Sequence, residues 1–485
     1  MRLRSPAACI RPISQSLLAV ALMPSGAVAQ TARVAPAAQA APGLPRPEAT
    51  PLRIDPDRDP VLALGRSTGS VEDFRRLVTA AVDRHPVRDE AEASIAEGRA
   101  ARREAISNML PSGDATLTSY QVLSRRFGSG GLQNIVERTR PDSQTDALYS
   151  LNQLAFDGGA TFRRISAANA RIRAAVASVD DAGARVALNT IGAWYDVFTF
   201  RTLIALTKEY RQDQVQRRLD LMARVMQGVQ AEGDVARVDS ALAQTDTRLA
   251  NYGRQLASAE ARFQELTGAP APASIYRSPG LGQEPRSVQE ARIASLDVPS
   301  VKVAAEQAAA ARYDARAANA DILPVIGLSL DSGRYGVFET DRDYDVRARV
   351  TLRARLGGQG PARRDAARAR ATGAEARAAT AREEASRDAA IAYSDIGALD
   401  QQLVALRAAY LASRQSRDVI VERFRVTRGT LSDLLDVNET YFSAATSYVN
   451  TLADRDAAHY VLLARTGRLL NALGISPAAT TARIK

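Results

Sequence analysis

Phe424-Arg425-Val426-Thr427-Arg428-Gly429-Thr430-Leu431-Ser432-Asp433-Leu434-Leu435-Asp436 is the stretch on which the reading of this chain turns. Thr427 to Thr430 breaks a long helical pattern and Leu431 restarts it. Asp433 and Asp436 then fall on one face of the second helix, because residues three apart are neighbours on a helix surface. The spacing predicts a helical hairpin whose tip presents two carboxylates side by side. A comparable tip is expected at Glu232-Gly233-Asp234, with Arg237 early in the helix that follows. Thr430-x-x-Asp433 also resembles a capping box, and acids in a first turn suit the helix dipole. That alternative accounts for Asp433 but hardly for Asp436.

Working outward from the tips, no proline occurs over 142–269 or 362–476, so nothing forces a helix to break there. From Gly159 to the tip near Gly233 the chain is long enough for about 100 Å of helix at 1.5 Å per residue. Ile165, Ile172, Val179 and Val186 recur every seventh position, a coiled-coil-like seam. The matching part of the second half is dominated by alanine, which lets helices approach closely. Gly268 and Gly474 are read as the ends of the two returning helices.

The chain repeats itself. Pro86 and Pro299 each open an Ala-rich helical interval, and each interval closes on a Leu-Pro pair, Leu110-Pro111 and Leu323-Pro324, at the same spacing. Strands are expected next, over 115–123 and 146–156 in the first copy and over 325–330 and 344–356 in the second. In the last of them Val346, Ala348, Val350, Leu352, Ala354 and Leu356 alternate with Arg347, Arg349, Thr351, Arg353 and Arg355. Period-two alternation over about ten residues suits a tilted membrane strand, although a soluble edge strand with its arginines in water would look similar. Four strands cannot close a barrel and lipid does not tolerate open sheet edges, so if these strands span a bilayer several copies of the chain must share one barrel. Each copy's second strand runs into glycines, Gly158-Gly159 and Gly357-Gly358, before a long helical hairpin.

The domain boundaries expected from these patterns are a secretory leader at 1–29 and a Pro/Ala-rich arm at 30–68. A first repeat at 69–269, a linker at 270–285, a second repeat at 286–475 and a loose tail at 476–485 follow. The leader has Arg2, Arg4 and Arg11, a short apolar core and Ala27-Val28-Ala29 as a cleavage site. Its removal takes Cys9 with it and lowers the formal charge from +10 to +7. Hydrophobic residues make up 46% of the chain but aromatics only 5%, which favours long, closely packed helices over a large globular core. No later run is apolar enough for a membrane helix.

This duplicated order, with the Thr-Leu-Ser-Asp-Leu-Leu-Asp tip, resembles the TolC family of outer-membrane efflux and secretion channels across nearly the whole mature chain. The resemblance implies a mainly α fold with a small β part. Long antiparallel coiled-coil helices would form a periplasmic tunnel, and four strands per protomer would join a trimeric barrel. It implies a passive exit channel, exporting small molecules or polypeptides, with an inner-membrane ABC or proton-driven pump and a periplasmic adaptor as partners. The adaptor would engage the tips at Gly233, Asp234, Arg237, Arg428, Gly429 and Thr430. Asp433 and Asp436 would ring the periplasmic gate. Arg347, Arg349, Arg353 and Arg355 would make the barrel lumen basic.

Two departures from the family pattern stand out. Arg237 occupies a place where an acid is expected and is predicted to pair with a carboxylate of a neighbouring tip such as Asp433. Phe424 stands where the family often has Tyr. The shape of the tip leans the cargo toward type I secretion. The rival class is a soluble periplasmic coiled-coil adaptor or scaffold. No nucleophile constellation, phosphate loop or metal-ligand spacing is present, so neither an enzyme nor a cofactor is expected, and an exported chain without an aromatic-basic cluster argues against nucleic acid. His85 and His459 are assigned structural roles, and Trp194, Tyr195, Phe198 and Phe200 packing roles.

Overall fold

The computed structural model describes residues 43–48, 54–126, 141–278, 280–339, 343–354, 357–426 and 428–476, all within one compact unit, Ala41–Lys485. The leader, most of the arm, Arg355 and the tail from 477 onward lie outside these residues.

Proline sets the start of two of the first three helices. Helix α1 (Pro60–Ala63) is a single turn, α2 spans Val71–Arg84, and α3 spans Pro86–Ser107. Proline lacks the N–H that a first turn leaves unused, so it opens a helix it could not continue. His85 sits between α2 and α3, where its Nδ1 accepts from the Val87 amide at 3.3 Å. The Leu-Pro pair then releases the chain into β1 (Ser112–Gln121) and β2 (Ser143–Phe156). After them come α4 (Ala160–Met226) and its antiparallel return α5 (Glu232–Thr267).

The second copy follows the same order. A short α6 (Val288–Ser295) precedes α7 (Pro299–Ala320), which is 22 residues long like α3. Next come β3 (Val325–Arg334), β4 (Tyr344–Arg353), α8 (Gln359–Arg425) and α9 (Leu431–Arg465). Helices α4 and α8 are each 67 residues, about 100 Å at the α-helical rise. The last return helix is not continuous as expected. It stops at Arg465, Gly467 takes φ 69°, and a short α10 (Leu469–Leu473) carries the chain to Gly474 at φ 78°. Glycine accepts that left-handed conformation without Cβ strain, which is why the break falls there.

The four strands form one antiparallel sheet in the order β1-β2-β3-β4. Strands β1, β2 and β3 begin or end several residues beyond the expected spans, because hydrogen bonding continues through polar residues such as Ser112, Gly113 and Asp331 that carry no alternation signal.

The main core lies along the middle of the helices. Trp194, Tyr195 and Phe198 of α4 pack there with Phe74, Phe263, Tyr441, Phe442 and Tyr460, and Phe200 lies at its margin. Phe74 meets Trp194 edge-on at 5.5 Å, and Tyr210 stacks on Phe442 at 4.4 Å. The aromatic residues of α4 are therefore packing residues.

Candidate channel tips and strand faces

At the second tip, Thr430 caps α9: the Asp433 amide donates to Thr430 Oγ1 at 3.1 Å. Leu431 and Leu434 are buried on one side of α9 in a small apolar cluster with Leu221 and Val238 from the first hairpin. Asp433 and Asp436 lie on the opposite side and are exposed. Among the described residues neither carboxylate makes an ion pair. The leucine face thus anchors the helix and leaves both acids free. Phe424 joins the same cluster, and the Arg224 guanidinium lies 5.1 Å from its ring centroid. Gly429 fits tightly against the end of α8, since a Cβ there would sit 3.4 Å from the Phe424 amide nitrogen. Arg428 is exposed, and its amide donates to the Arg423 carbonyl at 2.9 Å.

The first tip differs from expectation in two ways. Its chain reversal uses Gly228, at φ 72°, and Gly233 already belongs to the first turn of α5. A side chain at Gly233 would meet nothing within 4 Å, so its place is not set by space. Asp234 accepts from Gln230 Nε2 at 2.6 Å. Arg237 is exposed, and among the described residues it forms no ion pair, with Asp433 or otherwise. The ion pairs that do bind this hairpin, Arg218 to Asp239 and Arg211 to Asp246, lie further from the tip and join α4 to α5.

The register separates the sheet into two unlike faces, because directly paired residues share a face. Val346, Ala348, Val350 and Leu352 pair with Ser332, Leu330, Leu328 and Ile326. That face continues through Tyr149 and Leu151 to Ala115 and Leu117. The other face holds Arg347, Arg349 and Arg353 with Asp331, Ser329, Ser150, Asn152 and Asp114.

The apolar face is uncovered, with Val350 72% and Leu117 67% exposed. The polar face is not simply basic. Asp114, Asp146, Asp331 and Asp345 share it with the arginines, Arg349 pairs with Asp331 at 3.3 Å and Arg347 pairs with Asp345. Alternation in β4 alone gave no sign of Asp331, which the neighbouring strand brings opposite Arg347.

A buried polar clasp went unforeseen. Arg277, in the segment between the two repeats, donates to both oxygens of Asp456 on α9 at 2.6 and 2.9 Å and to the Leu64 carbonyl at 2.7 Å. Asp59 caps α1 through the amides of Val61 and Leu62, and it accepts from Tyr410 Oη at 2.8 Å and Arg414 at 2.7 Å. Arg417, almost wholly buried, lies 4.1 Å from the Tyr441 ring centroid and donates to the Pro45 carbonyl. Burial pushes the Tyr441 hydroxyl up to about 12. Together these contacts fasten Pro45 and the turn at Asp59 to the C-terminal part of α8, and the Leu64 carbonyl, through Arg277, to α9. His459 lies on α9 with Nδ1 3.1 Å from Glu284.

Residues 292–468 match the family described as outer membrane efflux protein. The outer membrane efflux protein BepC of Brucella suis is 23% identical over 328 residues, covering 66% of this chain and 71% of that protein. Among solved structures, the outer membrane protein VceC from Vibrio cholerae superposes with a TM-score of 0.69 at 17% identity, over 81% of this chain and 96% of that one. The Campylobacter jejuni CmeC outer membrane channel gives 0.72 at 14% identity, over 83% and 89%. Among the described residues no helix is long and apolar enough to cross a membrane, whereas the sheet presents an uncovered apolar face to one side and a polar face to the other. Residues 292–468 therefore match the outer membrane efflux protein family, a family of outer-membrane channels rather than enzymes, and the chain as a whole has the TolC-like fold.

Proposed function

We propose that three copies of this chain join edge to edge, β4 of one to β1 of the next, to give a twelve-stranded barrel that continues as a helical tunnel. The assembly serves as the passive exit duct of a tripartite efflux machine. The observation that carries this reading is the sheet itself: two open edges, one apolar face and one polar face. Open edges are too costly in lipid to leave unpaired, and an uncovered apolar face is too costly in water. A pump in the inner membrane supplies the energy, and a periplasmic adaptor engages the tips around Gly233 and Gly429. The name of BepC, an outer membrane efflux protein, supports efflux as the first reading. The Thr-Leu-Ser-Asp-Leu-Leu-Asp tip favours type I secretion as the second reading.

In such a trimer Asp433 and Asp436 bring six carboxylates around the narrow end of the tunnel, where they attract cations and repel one another. Planar-bilayer recording tests this. Replacing both with Ala should lower the preference for cations over anions severalfold and weaken block by divalent cations. Unchanged selectivity in the double variant would remove these residues from the gate.

A further inference from the structure

We propose that the inner surface of the tunnel, just below the sheet, carries an anion-binding groove in which Arg363 and Arg370 hold small polyvalent anions such as phosphorylated or polycarboxylate molecules. The proposal rests on the trimeric-channel reading and adds a ligand class to it.

Below the sheet, α4 touches α3 and α7, and α7 touches α8. Helix α4 buries Ala168, Ile172 and Val179 toward one neighbour and Ala167, Ala170 and Ala174 toward the other. Two exposed stripes remain between them, one with Arg164 and Arg171, the other with Phe162 and Arg173. A helix with two neighbours and two open faces is part of a wall. Phe162 is 63% exposed shortly after Phe156, and Phe156 pairs with Ile326 on the apolar side of the sheet. A large exposed aromatic at that height belongs at a lipid boundary. The Phe162 stripe is therefore outer, and the Arg164 stripe is inner.

On the inner side α4, α7 and α8 enclose a groove of about 640 Å³, lined by Arg164, Arg171, Asp314, Asp321, Arg363 and Arg370 over a floor of alanines. That volume suits a small-molecule ligand. Two of its arginines are already engaged, Arg164 with both oxygens of Asp321 at 2.6 Å and Arg171 with Asp314. Arg363 and Arg370 are exposed and, among the described residues, make no ion pair. Seven residues apart on α8, they lie on one face about 10 Å from each other. The groove thus has two uncompensated guanidinium groups in each chain and six in a trimer. A guanidinium presents a planar fork of donors that fits carboxylate and phosphate oxygens, and a walled, narrow site concentrates its field. On the outer stripe Arg173 is paired with Glu306 at 2.8 Å.

Purified protein in a planar bilayer, with sodium diphosphate added to each chamber in turn, tests the proposal. Diphosphate should block the wild-type current. Arg363→Gln with Arg370→Gln should weaken that block at least about tenfold, and Arg363→Glu with Arg370→Glu should abolish it. Arg173→Gln should leave it unchanged. Equal block in wild type and the double Gln variant, or equal weakening by Arg173→Gln, would overturn the groove while leaving the channel intact. A protein that never conducts would overturn the channel reading and the groove with it.

Discussion

At the scale of single residues, the most consequential side chains are the buried charges. Arg277 and Asp456 are 5% and 7% exposed; Arg277 depends on Asp456 for its countercharge, and Asp456 has Arg455 at 3.7 Å besides. Removing one partner of such a pair leaves an uncompensated charge and costs about 3–5 kcal/mol, whereas replacing both with apolar residues of similar volume is often close to neutral. Asp456→Ala should therefore lower stability by about that amount in denaturant titrations of the detergent-solubilised protein. Arg277→Met with Asp456→Leu should recover most of the loss. Loss in the double variant equal to that in the single one would show that the ion pair is not what holds the linker.

None of this clasp was legible in the sequence. Arg277 lies in a Pro- and Gly-containing linker that reads as solvated, and nothing in its spacing points to an aspartate 179 positions away. The Thr430 cap was legible, because a cap acts between near neighbours and leaves a local pattern, Thr-x-x-Asp.

At the scale of elements, helix α4 starts abruptly from a glycine turn, and Asp157 provides the cap. Its Oδ1 accepts from the Gly159 amide at 2.9 Å, and its Oδ2 accepts from the Thr161 amide at 2.7 Å and hydroxyl at 2.6 Å. Burial works to raise the Asp157 carboxyl, but the bonds from Thr161 and the neighbouring amides prevail and hold it below the usual carboxylate range. A depressed folded pKa stabilises the folded state above the unfolded value, near 4, and that contribution is lost as the pH falls through the folded one. Asp157→Ala should cost about 1 kcal/mol at neutral pH, the usual worth of a cap. The difference from wild type in thermal midpoint should shrink below pH 4. A gap that stays constant from pH 7 to pH 3 would exclude the carboxylate as its source.

Element lengths were readable because proline and glycine punctuate them: Pro86 and Pro299 open helices of equal length, and within the proline-free spans α4 and α8 each run unbroken for 67 residues. The exact turn at the first tip was not readable. Gly228 and Gly233 are equally permissive, and only packing of the hairpin decides that Gly228 takes the left-handed conformation. Gly467 was overlooked for a related reason, since a lone glycine in a helical run breaks the helix only where its surroundings demand it.

At the scale of the whole molecule, the sequence pointed to assembly through a deficiency. Its strands alternate as membrane strands do, yet there are too few to close. The structure adds that the four strands lie adjacent in one sheet with both outer strands open, which is what joining by edges requires. Asp345 and Asp331 accompany Arg347 and Arg349 of β4, while Arg363 and Arg370 on α8 make no ion pair among the described residues.

The native mass of the mature chain extracted in mild detergent tests the need for assembly most directly. The account predicts three copies per particle, with no folded species stable in buffer once detergent is withdrawn. A folded monomer that remains soluble without detergent would contradict it.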